Sequence, residues 1–257
     1  MKPPVIVLRA AGSNCDVETG RAFDLAGGKS ELVHVNRLFN GEKRLADYAI
    51  LAIPGGFTYG DDIAAGKVLA TEVSSRLADE VRKFLGRDGL VIGICNGFQV
   101  LVKTGFLPGI EGVPATLTNN DSQRFEARWI HLVVEKSKCV WTKTIAGKRI
   151  PLPVAHGEGK FLTRTEEDFK LIEKNKQIAL RYVAADGSKP EYPEDPNGSM
   201  GHVAGICDTT GRVFGLMPHP ERFVEKHQHP RSCRGEGAEA YGLEIIKSGI
   251  SVAAGQD

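Results

Sequence analysis

Cys95 stands where a strand-like run meets a helix-like run, and it is the first residue in the chain whose setting could do chemistry. Leu90 to Ile94 is a continuous apolar stretch rich in β-branched side chains, long enough for a strand buried on both faces. Phe98 to Val102 restarts at once with helix-compatible residues. The backbone must therefore turn sharply at the cysteine, and Gly93 and Gly97 remove the side chains that would collide there. This G-x-C-x-G turn is a nucleophile elbow with cysteine in the serine's place. It predicts a thiol projecting into solvent above the carboxyl end of the strand, a helix dipole favouring the thiolate, and an Asn96 N–H placed to bind an oxyanion. The competing reading is a buried structural cysteine closing a core strand, which is common for this residue type.

A base and its orienting acid are offered by His219 and Glu221, with Pro220 between them. If the segment is extended, residues two apart project to one side, so the carboxylate reaches one ring nitrogen and leaves the other outward. With Cys95 they would complete a nucleophile, base and acid triad. A solvated His and Glu beside a turn is the alternative. Gly55 and Gly56 follow another apolar strand, and their backbone N–H groups could complete an oxyanion hole with Asn96; a tight turn chosen for shape is again the plainer account.

The elements that must position these residues read as an α/β fold: one doubly wound, mostly parallel sheet with helices on both faces, and antiparallel additions in the C-terminal half. Strands are expected at Val5 to Leu8, Glu31 to Val35 and Tyr48 to Ile53, with a helix from Val17 to Ala26 and two helical patterns over Asp62 to Leu85 broken near Glu72. Beyond residue 105, alternation over Phe125 to Glu135 suggests an antiparallel or edge strand. Further strands are expected at Pro151 to Ala155 and Ile178 to Val183, joined by a helix over Glu166 to Lys174. Asp186 to Ser199 reads as a surface loop, His202 to Cys207 and Val213 to Met217 as a hairpin, and Ala238 to Ile246 as a last helix. With no repeat or low-complexity linker, the whole of 1–257 is expected to be a single domain. Ligands in such sheets bind outside the carboxyl ends of the strands, where the Pro54-Gly55-Gly56-Phe57 loop and Cys95 both fall.

Composition narrows the class further. The 257 residues carry a net charge of +1, with 41% hydrophobic and 25% charged residues, so nothing points to nucleic acid or a membrane as partner. Five widely spaced cysteines without a CxxC pair suggest neither a disulfide framework nor a zinc cluster, and a reducing, cytoplasmic setting fits best. The apolar run near the amino terminus is too short for a secretory or membrane segment. Cys15 also precedes a helix but lacks the flanking glycines, so it ranks below Cys95 as a nucleophile. His227, His229 and Cys233 match no standard metal spacing and read as a surface loop. Gly66-Lys67 lacks the Walker pattern, and no GxGxxG follows a strand, so no metal or nucleotide site is expected in this chain.

The cysteine elbow, the PGGF loop and the His219-Pro-Glu221 triplet together resemble the class I, triad-type glutamine amidotransferases, over nearly the whole chain. Gly12-Ser-Asn-Cys-Asp16, Pro54-Gly-Gly-Phe-Thr-Tyr-Gly-Asp61, His156-Gly-Glu-Gly159 and Met217-Pro-His-Pro-Glu-Arg222 narrow the likeness to the glutaminase subunits of phosphoribosylformylglycinamidine synthases. The resemblance implies that Cys95, His219 and Glu221 hydrolyse glutamine through a thioester, with backbone N–H groups near Gly55, Gly56, Phe57 and Asn96 holding the oxyanion. It further implies that Gln99, Gly56 and the backbone near His156 bind glutamine. Ammonia would pass to a large synthetase subunit carrying ATP, Mg²⁺ and formylglycinamide ribotide, often with a small accessory subunit. The loop Pro190 to Gly198 departs from the shortest free-standing subunits and leaves the partner arrangement open. Two alternatives stay open on residues alone: an amidotransferase serving another synthetase, and a cysteine hydrolase of related fold.

Overall fold

The computed structural model describes residues 1–235 and 239–256. Its centre is a nine-stranded sheet whose parallel half begins with β1 (Pro4–Arg9), β2 (Lys29–His34), β3 (Ile50–Ile53) and β4 (Leu90–Ile94). The antiparallel half contains β6 (Glu126–Val134), β7 (Arg149–His156), β9 (Ile178–Val183) and β10 (Val203–Cys207), and β11 (Val213–Leu216) lies between the halves. Across the sheet the order is β2-β1-β3-β4-β11-β10-β9-β6-β7. β11 pairs parallel to β4 and antiparallel to β10, so it belongs to both halves. Every residue of β3, β4 and β11 is buried, as expected of strands covered on both faces, whereas β6 mixes buried and partly exposed positions.

One face of the parallel half is covered by α3 (Lys67–Arg76), α4 (Ala78–Leu85) and α5 (Asn96–Lys103), where Val73, Leu77, Val81 and Leu101 meet Leu8, Leu51, Ile53 and Val91. The other carries α1 (Asp16–Leu25) and α7 (Tyr241–Ala253), which touch each other. There Phe23 meets Trp141 edge to face at 6.3 Å.

Several boundaries differ from the expectations, each for a local reason. The helical stretch after the PGGF loop breaks at Leu77 rather than near Glu72: Leu77 closes α3 onto the Val73 carbonyl and opens α4 by accepting from Val81. Glu72 lies inside α3 and takes the Tyr59 hydroxyl at 2.6 Å. Val35 leaves the second strand and starts a five-residue helix, α2 (Val35–Phe39), capped by the His34 ring accepting from the Asn36 amide. A two-stranded sheet of β5 (Ala115–Thr118) and β8 (Lys160–Thr163) was not expected; strands this short carry little periodicity. The helix α6 (Glu166–Lys174) and β9 fall where the pattern places them. The expected last helix begins at Ala238, which lies outside the described residues, and α7 continues past Ile246. The 186–199 loop is not merely a surface feature, because Asp195, Asn197 and Ser199 are buried. His229 likewise packs its ring on Trp129 and Phe223 instead of standing on a surface loop. Among the described residues, no helix is long and apolar enough to cross a membrane.

Candidate active site

The four strands β1, β3, β4 and β11 run parallel, so their carboxyl ends emerge at one edge of the sheet. Each end leads into a residue lining one cavity of about 700 Å³: Cys15 after β1, Gly56 after β3, Cys95 after β4 and His219 after β11. β7 delivers Ala155 and His156 to the same cavity from the antiparallel half.

Cys95 occupies φ 51°, ψ −102°, a strained conformation for a residue with a side chain. Its N–H donates to the Leu216 carbonyl at 2.8 Å, which fastens the elbow to β11. A Cβ at Gly97 would strike the Ile53 carbonyl, so only glycine lets α5 start this close to β3. The thiol does not project into open solvent as expected. Cys95 is 6% exposed, and its Sγ faces the cavity while donating to the Ala155 carbonyl at 3.6 Å. The adjacent Asn96 N–H has no acceptor among the described residues, as is normal at the first position of a helix.

His219 and Glu221 are both buried, with ring Nδ1 2.6 Å from Glu221 Oε1. The segment is not extended as expected, since Pro220–Arg222 forms a single 3₁₀ turn, yet the carboxylate still reaches the ring. The His219 N–H donates to the Pro153 carbonyl of β7 at 2.8 Å, which fixes the backbone below the ring. Nε2 closes no hydrogen bond. Burial works against protonation of this imidazole, but the Glu221 carboxylate, Cys95 and Cys15 outweigh it and hold the ring well above its ordinary value. Such an imidazole can hold a proton beside a thiol and release it to a departing amine.

Gly55 is where three groups converge. A Cβ there would lie 2.8 Å from His219 Cε1, 3.2 Å from Cys15 Sγ and 3.5 Å from Cys95 Cβ. The requirement for glycine is therefore the space taken by the imidazole, the Cys15 sulfur and the Cys95 Cβ. Gly56 keeps its N–H without an acceptor among the described residues, at φ 132°. The Phe57 amide differs from the expectation: it donates to the Gly12 carbonyl at 3.1 Å and so is committed to holding the two loops together. Its ring lines the cavity instead.

Gln99 and His156 line the cavity too, but their side chains are tied by neighbours. Gln99 Oε1 accepts from Asn96 Nδ2 at 3.1 Å, and its Nε2 donates to the Glu158 carbonyl at 2.6 Å. His156 Nδ1 is 3.0 Å from Asn120 Oδ1, which also accepts from the Gly159 amide at 3.1 Å. Asn120 Oδ1 can only accept, so His156 donates from Nδ1 and keeps the lone pair on Nε2. Burial foremost, together with His219, lowers this imidazole to about 3, so it is neutral. Asn197 supports the loop from behind, donating to the Gly159 carbonyl at 2.8 Å.

Cys15 ranks below Cys95 as a nucleophile, as expected, but its place in the cavity wall was not anticipated. Its Sγ accepts from Arg222 Nη2 at 3.1 Å and donates to Asn14 Oδ1 at 3.3 Å, and burial foremost keeps it a neutral thiol. Its place after β1, at the carboxyl edge of a parallel sheet, is the signal that could have found it. Single ligand atoms of Cys15, His219 and Glu221 lie within 4.8 Å of one another, though the ring and the carboxylate already engage each other. His227, His229 and Cys233 form no such group among the described residues.

Comparison with known proteins fits this geometry. Residues 2–250 match the model of the CobB/CobQ-like glutamine amidotransferase domain. The chain is 48% identical to the phosphoribosylformylglycinamidine synthase subunit PurQ of Dehalococcoides mccartyi over 97% of each chain. It is 47% identical to that of Treponema denticola over 98% of this chain and 99% of the other. Among solved structures, PurLQS from Thermotoga maritima superposes at a TM-score of 0.76 with 32% identity, covering 98% of this chain and 99% of that one. A glutamine amidotransferase from the same organism, at 14% identity and a TM-score of 0.56 over 98% of each chain, shares the fold. The chain belongs to the CobB/CobQ-like glutamine amidotransferase family and, within it, to the family of phosphoribosylformylglycinamidine synthase PurQ subunits.

Proposed function

We propose that this chain, acting as one domain in the cytoplasm, is the glutaminase of a phosphoribosylformylglycinamidine synthase. It would hydrolyse glutamine and pass ammonia to a large synthetase subunit, which uses ATP and Mg²⁺ to convert formylglycinamide ribotide to the amidine. A small accessory subunit would complete the assembly. The observation that carries the reading is a cysteine at a strained strand-to-helix turn, opening on the same cavity as a buried imidazole bonded at 2.6 Å to a carboxylate.

In the reaction the Cys95 thiolate attacks the side-chain amide carbon. The developing oxyanion takes the free N–H groups of Asn96 and Gly56, each lowering the barrier by about 3 kcal/mol. His219, aligned by Glu221, protonates the amide nitrogen of the tetrahedral intermediate so that it leaves as ammonia, then removes a proton from the water that cleaves the thioester. The thiol's bond to Ala155 and the open Nε2 of His219 describe the site before substrate draws the two groups together. Ammonia must travel unprotonated, because ammonium has no lone pair, and that requires a partner docked on this chain. We assign the chain no cofactor or metal of its own and place the nucleotide on the partner.

The test is reconstitution with a synthetase subunit. Equal amounts of glutamate and amidine should appear from glutamine, and an electrophilic glutamine analogue should label Cys95. Labelling elsewhere, or glutamine hydrolysis unconnected to any synthetase, would reject the assignment.

A further inference from the structure

We infer that the site takes a thiophilic divalent cation of the zinc class as an inhibitor, held by the Cys15 and Cys95 thiolates and the Nε2 lone pair of His219. This rests on the glutaminase reading for its kinetic consequence and adds to it a means of switching the same nucleophile off. The ion is an inhibitor, not a resident cofactor.

The imidazole is already arranged as a metal ligand. A histidine that binds zinc through one ring nitrogen gives the other N–H to a carboxylate or carbonyl, which fixes the tautomer and strengthens the donor. His219 Nδ1 lies 2.6 Å from Glu221 Oε1, and Nε2 is buried without a hydrogen-bond partner among the described residues. The backbone beneath the ring is pinned to β7 by the His219 amide on the Pro153 carbonyl at 2.8 Å.

Both cysteines border the same side of the ring. One ligand atom each from Cys15, His219 and Glu221 lies within 4.8 Å of the others. A Cβ built on Gly55 would meet His219 Cε1 at 2.8 Å, Cys15 Sγ at 3.2 Å and Cys95 Cβ at 3.5 Å, so the imidazole and the two cysteines converge on one glycine. The site requires Cys95 to leave its weak 3.6 Å bond to the Ala155 carbonyl by rotating about Cα–Cβ.

The donor set selects the ion. Two thiolates and one imidazole make a Cys₂His zinc site with a fourth position open. Water can complete the tetrahedron, or Asn14 Oδ1, which accepts from the Cys15 thiol at 3.3 Å. Donors of this kind discriminate against Mg²⁺, which takes oxygen. Arg222 Nη2, 3.1 Å from Cys15 Sγ and balanced by Glu18 Oε1 at 2.9 Å, would stay as a donor to the metal-bound sulfur. Any proton on the two sulfur atoms or on Nε2 passes to solvent as the ion binds. Asn14, Cys15, Cys95 and His219 all line the cavity of about 700 Å³, which gives the ion its way in. A Cys95 sulfur bound to metal cannot attack an amide, and a metal-bound Nε2 cannot move a proton.

The experiment titrates the full chain with Zn²⁺ and with Co²⁺, its spectroscopic stand-in. Stoichiometric Zn²⁺ should block iodoacetamide labelling of Cys95, and Co²⁺ should give a thiolate-to-metal charge-transfer band with tetrahedral d–d bands; Mg²⁺ should do neither. Cys15→Ser should raise the Zn²⁺ concentration for half-protection about 100-fold, the scale of a disturbed metal shell, whereas Cys233→Ser should leave it unchanged. In the reconstituted complex the same Zn²⁺ should stop glutamine-dependent synthesis, spare synthesis from added ammonia, and be reversed by a chelator selective for zinc over magnesium. Equal protection in wild type and Cys15→Ser would overturn the inference, as would loss of binding in Cys233→Ser. A chain that binds the ions as described, in a complex that forms no glutamate from glutamine, would reject the glutaminase reading and leave the metal site standing.

Discussion

Cys15 Sγ lies 3.1 Å from Nη2 of Arg222, joining the loop after β1 to the turn that follows His219. Arg222 is anchored on its other side by Glu18 Oε1 at 2.9 Å, so a thiol, a guanidinium and a carboxylate form a brace behind the imidazole. Cys15 contributes to the basicity of His219, but burial keeps its own thiol protonated and a poor nucleophile. Its role is therefore to position. Cys15→Ala should lower kcat for glutamine by about 10-fold with KM little changed, the scale of one lost hydrogen bond to a charged group. Cys15→Ser should restore part of it. Iodoacetamide should consume Cys95 well before Cys15 in mass-spectrometric time courses; labelling of Cys15 first would refute the assignment.

Cys95→Ala should abolish glutamine-dependent amidine synthesis and leave synthesis from added ammonia intact, because the residues proposed for amide cleavage all lie in this chain. The comparison is made on the assembled complex at saturating ammonium salt. Simultaneous loss of both activities in a correctly assembled complex would show that the two chemistries are not divided in this way.

Glu221→Gln keeps an oxygen for Nδ1 but removes the charge that most favours the imidazolium of His219. The His219 value should fall, so the alkaline limb of the kcat profile moves to lower pH. The rate should drop about 100-fold or more, within the range for a disabled general base. An unshifted alkaline limb would place control of that limb on another group.

How much of this was readable beforehand differs between the strands and the loops. β4 follows from an unbroken apolar run and β9 from one interrupted only at Arg181, and the elbow from two glycines around one cysteine, since burial and steric exclusion act on a few consecutive residues. The pairing of His219 with Glu221 was expected, although through the wrong local geometry, because two-residue spacing permits contact in an extended segment or a 3₁₀ turn alike. Asn120 and Asn197 gave no local signal, and Cys15 gave only its place between a strand and a helix. Their importance comes from contacts with residues far along the chain: Arg222, His156 and Gly159. The Phe57 amide was misjudged for the same reason, as its acceptor, Gly12, lies on a different loop.

Gly55→Ala isolates the convergence of Cys15, Cys95 and His219. The added methyl would sit 2.8 Å from His219 Cε1, closer than packed carbons tolerate, so the ring or the loop must shift by several tenths of an ångström. Glutaminase activity should fall at least about 100-fold, as a small misplacement of reacting groups permits. The thermal midpoint should drop far less than for Gly97→Ala, whose Cβ would strike backbone. Full activity in Gly55→Ala would mean that the ring is not held where this packing puts it.

His156 makes a prediction about stability alone. In the unfolded chain its imidazole titrates near 6.5, whereas in the fold burial lowers it to about 3. Between those values the unfolded state binds a proton that the native state refuses, so stability is present above pH 6.5 and is lost as the pH falls towards 3. From pH 6.5 to 4.5 the loss is about 2 kcal/mol, because the full slope of 1.36 kcal/mol per pH unit is reached only once the unfolded imidazole is protonated. His156→Gln can still donate to Asn120 Oδ1 but takes up no proton in either state. The variant's urea midpoint should therefore fall less between pH 7.5 and 4.5 than the wild type's, and the stability difference between the two proteins should change by about 3 kcal/mol in the variant's favour. A difference that stays constant over this range would mean that the native imidazole can be protonated. The lone pair on Nε2 would then be unavailable as an acceptor in the cavity wall.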